Sequence, residues 1–117
     1  MAFKFEKLEV WNNAIDFSAN IHEVTRSFPQ EELYILTSQM KRAADSIALN
    51  IAEGSTGQTN PAFRQFLSYA VRSGIELVSC LYIAVKRKLI DEVQFRDLYD
   101  EAEQLIKKIQ ALRNAIH

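Results

Sequence analysis

Two prolines, Pro29 and Pro61, are the only ones in a chain of 117 residues, and both stand where a helix can begin. Only three glycines accompany them. So few breakers, with apolar residues recurring every three or four positions, confine the chain to long helices and short loops. The expected fold is all-α: an antiparallel up-down-up-down four-helix bundle, one domain over residues 1–117.

The stripes place the helices. After a ragged start at residues 1–5, the first runs over residues 6–27. Leu8, Trp11, Ile15, Ser18, His22 and Thr25 make one row, and Val10, Phe17, Ile21, Val24 and Phe28 a second. Their combined arc is about 200°, wider than a surface helix needs. His22 reads as a partly buried histidine with a hydrogen-bond partner. Phe28-Pro29 ends this helix, because a residue before proline disfavours the α region. The second helix covers residues 29–53, with Glu31 and Glu32 on its positive end and Gly54 as its C-cap.

Asn60 is the expected N-cap of a third helix over residues 61–88. Its first stripe runs from Phe63 through Gly74 to Ala84, and the mid-helix Gly74 predicts a close helix approach. Val71, Ile75, Val78 and Tyr82 form a second stripe that one bundle core does not need. Asp91 caps the fourth helix, with Gln94 as its capping-box partner. Phe95, Leu98, Ala102, Leu105, Ile109, Leu112 and Ile116 give that helix a single buried seam. Helices 1 and 3 thus carry surplus apolar surface, which predicts a homo-oligomer contacting itself through both.

Little points to catalysis. No phosphate loop, nucleophile elbow or zinc spacing occurs. The carboxylate-histidine pair of di-iron bundles is also missing. Cys80 is the single cysteine and sits in an apolar run, as a buried inert thiol does. No enzyme, metal or cofactor is expected. Residues 77–85, the longest clean apolar run, are too short to span a bilayer. With no signal peptide, a cytoplasmic protein without a membrane partner is the expectation. The formal charge of −1 predicts no strong overall affinity for nucleic acid, which leaves local patches.

One polar row stands out. Gln39, Arg42, Ser46, Asn50 and Glu53 lie within roughly 80° of helix 2, beside the core stripe. Antiparallel packing puts Arg42 level with Glu76, Ser46 with Arg72 or Ser73, and Glu53 near Arg64 or Gln65. The row reads either as a structural network that fixes register and subunit pairing, or as a ligand or nucleic-acid contact. A second signal is basic. Lys86, Arg87 and Lys88 cluster at the end of helix 3, where cations also complement the helix dipole. With Lys41, Arg64 and Arg72 they are the candidate phosphate contacts.

Three stretches, FEKLEVW, FPQEELYILTSQMKRAADSIALNIAEG and FLSYAVRSGIEL, resemble the bacterial 23S rRNA intervening-sequence proteins. The most specific part is the series Arg42, Ser46, Asn50, Glu53 and Gly54, with Glu76. The resemblance implies a non-enzymatic bundle, a ring-shaped homopentamer and a link to ribosomal RNA. A similar fold occurs in the accessory protein of diversity-generating retroelements, which binds nucleic acid through a strongly basic surface; this chain, at −1, departs from it. Two readings follow. One is an oligomer that binds RNA through a ring of basic patches. The other is a scaffold homo-oligomer whose partner is another protein.

Overall fold

A computed structural model describes residues 2–57 and 59–117. Four α-helices make the bundle: α1 Glu9–Thr25, α2 Ser38–Gly54, α3 Asn60–Lys86 and α4 Glu92–Ala115. No strand occurs among the described residues. Each helix packs on two neighbours, α1 on α2 and α4, and α3 on α2 and α4. Neighbours run antiparallel. Asn20 meets Glu101 and Glu9 meets Lys108 across α1 and α4. Gln39 meets Glu76 and Ser46 meets Ser73 across α2 and α3. Ser68 meets Arg113 and Tyr82 meets Phe95 across α3 and α4. The bundle is 43 Å long, as helices of this length require at 1.5 Å per residue.

The stripes read from the sequence become one continuous core. Phe17, Ile21, Met40, Ile47, Ile51, Leu67, Leu77, Leu81 and Ile109 are its largest fully buried side chains. Each contributes about 1.5–3 kcal/mol by leaving water. Cys80 is buried, as expected. α3 is long and apolar enough to cross a membrane by length and composition. Its Phe63, Leu67, Ala70, Leu77, Leu81 and Ala84 instead face the core.

Several boundaries differ from the expectation. A 3-10 turn at Lys4–Lys7 replaces the ragged start. It folds Phe5 onto Trp11, ring centroids 4.7 Å apart. The second helix is not uniform from Pro29. A 3-10 turn, Gln30–Glu32, and a π-helical turn, Leu33–Thr37, precede α2. Thr59, not Asn60, caps α3, its hydroxyl accepting from the Ala62 N–H at 3.2 Å. Asn60 is then the first helical residue and Pro61 the second. The Asp91–Gln94 capping box forms as expected.

Gly54 is not a left-handed cap. It is the last residue of α2, it is buried, and only Gly57 among the described glycines has positive φ. α3 ends at Lys86 instead of Lys88. Leu89 N–H reaches the Ala84 carbonyl and Lys88 N–H that of Val85, the two bonds of a Schellman ending. Lys88 takes the left-handed position, φ 62°.

Candidate functional site

The polar row borders the α2/α3 seam but does not pair as the spacing predicts. Ser73 donates its hydroxyl hydrogen to Ser46 Oγ at 2.9 Å, and Asn50 donates to the Ser46 carbonyl at 2.8 Å and to its Oγ at 3.0 Å. This short chain is the half-buried part of the row. Arg42 does not bond to Glu76. Gln39 does, its Nε2 lying 3.2 Å from Glu76 Oε2. The heights match, but Arg42 lies a further 60° or so around α2, away from α3. Arg42, Glu53 and Glu76 form no ion pair with one another, and Glu53 meets neither Arg64 nor Gln65. Gln65 bonds to Tyr69 instead.

Within the basic cluster at the end of α3, Arg87 is paired. Arg87 Nη1 lies 3.0 and 3.2 Å from the two Glu32 oxygens, tying the turn before α2 to the end of α3. That carboxylate cancels its charge. Lys86, Lys88, Arg64 and Arg72 make no ion pair among the described residues. Lys41 is half-buried and also makes no ion pair among the described residues. His22 has the partner its position calls for, Asp45, at 2.9 Å from Nε2. Ser18 bonds to the same carboxylate oxygen. Asp45 lies one turn before Ala48 on the α1 side of α2, a place that periodicity alone marks only as polar.

The uncovered apolar surface is larger and better defined. Ile75 is 58% exposed and Tyr82 55%. With Val78, Tyr99 and Ile106, Ile75 lines a groove of about 290 Å³ between α3 and α4. Tyr82 continues it, packing edge-on against Phe95 at 5.0 Å and Tyr99 at 6.2 Å. Tyr99 and Ile106 were not singled out by the sequence; they stand one heptad apart beside the buried seam of α4. A second stripe lies on α2 and the turn before it, where Ile35 and Leu49, 59% and 62% exposed, stand fourteen residues apart with the exposed Arg42 midway between them. α1 does not supply the surplus expected of it. Val10, Ala14, Phe17 and Ile21 are buried, Trp11 lies under Phe5, and Ile15 is its one exposed large apolar residue.

No group of three or more His, Cys, Asp or Glu side chains among the described residues could hold a metal ion. Burial, and secondarily the Glu76 charge, push the Cys80 thiol above its ordinary 9.0. The site is thus a set of surfaces: an apolar groove, a stripe of two apolar residues flanking Arg42, and cations without an ion pair among the described residues. The sequence profile of the 23S rRNA-intervening sequence proteins matches residues 6–111.

The chain belongs to that family. Its intervening-sequence fold is shared with a protein of unknown function from the S23 ribosomal protein family of Bacteroides thetaiotaomicron. The two superpose with a TM-score of 0.83 at 19% sequence identity, over 90% of this chain and 95% of the other. At that identity the likeness speaks for the fold alone. No curated protein matches the chain.

Proposed function

We propose that this intervening-sequence protein works as a non-enzymatic, cytoplasmic homo-oligomer that carries RNA. The observation behind the assembly is a pair of unlike surfaces on one bundle: the apolar α3/α4 groove around Ile75 and Ile106, and the α2 stripe on which Ile35 and Leu49 flank Arg42. A groove on one protomer that takes a stripe from the next is a heterologous contact, which closes into a ring when the rotation between neighbours allows it. The family resemblance supports a ring of five. Light scattering on the purified protein tests this. A particle of five chains is expected, reduced to smaller species by Ile75→Glu. A monomer at micromolar concentration overturns it.

RNA is the partner that the family name supports. Free cations repeated around a ring gain avidity along one strand even where each contact is weak. The rival reading, a scaffold whose partner is another protein, is favoured by the net charge of −1. Titration of ribosomal RNA fragments at low salt separates the two. Binding with a steep salt dependence supports RNA, and no binding leaves the scaffold.

A further inference from the structure

A cleft of about 320 Å³ opens where the π-helical turn Leu33–Thr37 passes into α2 beside α1. Leu33, Tyr34, Thr37, Ser38, Lys41 and Arg42 line one side of it. Tyr34 is 89% exposed. Neither Lys41 nor Arg42 makes an ion pair with any described residue. Thr37 is buried, and its Oγ1 has no hydrogen-bond partner. His22 lines the cleft from α1, and Asp45 from α2, one turn beyond Lys41 and Arg42. Asp45 is the only carboxylate in the lining, and it is engaged by His22 and Ser18.

We propose that this cleft holds one nucleotide of single-stranded RNA, the base stacked on Tyr34 and the phosphate between Lys41 and Arg42. The inference rests on the RNA half of the reading above and gives it a place. An open aromatic ring beside two free cations is how proteins hold single strands without reading their sequence. The Ser38 hydroxyl, half-buried at the cleft, would donate to a phosphate or ribose oxygen; Thr37 Oγ1 is enclosed and takes no part. Leu33 and Tyr34 are the apolar residues of the lining, and Lys41 and Arg42 supply its positive charge. This location differs from the Lys86–Lys88 end of α3, where Arg87 is already held by Glu32.

The test is an anisotropy titration of a short labelled oligouridylate against the full chain, at about 50 and about 200 mM salt. Tyr34→Ala should weaken binding about tenfold, while Tyr34→Phe, which keeps the ring, should leave it unchanged. Lys41→Gln with Arg42→Gln should weaken binding and flatten the salt slope by about 0.7 for each phosphate no longer neutralised. Lys86→Gln with Lys88→Gln, in contrast, should preserve the Tyr34 dependence. Circular dichroism and light scattering, run on every variant, should show fold and assembly intact. Wild-type binding that the Tyr34 and Lys41/Arg42 variants share undiminished overturns the cleft and leaves the RNA reading standing. No wild-type binding even at low salt overturns both. Loss of assembly in Tyr34→Ala makes the cleft a subunit contact and overturns it as well.

Discussion

A β-carbon on Gly54 would stand 2.6 Å from the Cβ of Phe66 and 3.0 Å from Cδ1 of Phe63. The end of α2 therefore lies against the first turns of α3 at a distance that only glycine allows. Phe66 Cβ is fixed to its backbone, so the clash cannot be relieved by a rotamer change. Gly54→Ala should destabilise the bundle by about 1–3 kcal/mol, despite Ala's helix preference of about 1 kcal/mol. At Gly74 the near atoms are Cγ1 and Cδ1 of Ile106, at 2.8 and 3.0 Å. Ile106 borders the open groove and has room to turn, so Gly74→Ala should cost less. Urea denaturation of both variants ranks them; an equal or reversed order contradicts the packing.

Arg42 carries a prediction of the opposite kind. A buried Arg42–Glu76 pair would make Arg42→Ala cost about 3–5 kcal/mol. Arg42 has no carboxylate partner among the described residues, and Gln39 serves Glu76. Arg42→Ala should therefore change stability by less than about 0.5 kcal/mol. A large loss measured below the concentration at which the chains assemble would show that Arg42 has a partner within one protomer.

The sequence states the four helices and their core faces because burial is periodic, and every residue on the α4 seam from Phe95 to Ile109 is buried as its position predicts. It is silent where tertiary contacts decide. Glu32 reads as a helix-dipole carboxylate and is instead taken up by Arg87, 55 residues away, beside the 3-10 and π turns. Trp11 reads as surplus apolar surface until Phe5 folds over it. The level of Gln39, Arg42 and Glu76 was legible. The few tens of degrees that decide which side chain reaches the carboxylate were not.

Lys88 occupies a position that suits glycine. At φ 62° it sits in the left-handed region at the end of α3, with Leu89 packing on the core just beyond. A side chain there costs about 1 kcal/mol relative to glycine. Lys88→Gly should stabilise the protein by about that amount, partly offset by the extra freedom glycine gives the unfolded chain. Lys88→Val, β-branched, should destabilise it. Thermal melts of the two variants should move in opposite directions; movement in one direction would reject the strained cap.

Cys80 predicts a pH limit. Burial raises its thiol above the ordinary 9.0, so the unfolded chain ionises first as pH rises. The unfolded state then binds fewer protons than the native state, and stability falls with pH. This contribution is flat below about pH 9 and declines above it. Cys80→Ala should remove the alkaline slope, at the cost of a small cavity. In the native wild type, iodoacetamide should label Cys80 only at the rate of global opening. Rapid labelling at neutral pH would place the thiol at the surface.

The two unlike surfaces of the proposed ring can be separated by mixing. Ile75→Glu damages the α3/α4 groove and leaves the α2 stripe intact, whereas Leu49→Glu does the reverse. Both positions are exposed in the protomer, so neither change should unfold the bundle. In a heterologous contact each variant alone has no complete groove–stripe pair and should be a monomer. Mixed, the intact stripe of the first fits the intact groove of the second, and every remaining face is dead. The mixture should therefore stop at a heterodimer by light scattering, with no larger species. An isologous groove-to-groove contact gives a different result: Leu49→Glu would self-associate alone, and mixing would add nothing. The size of three samples thus decides how the two surfaces are used.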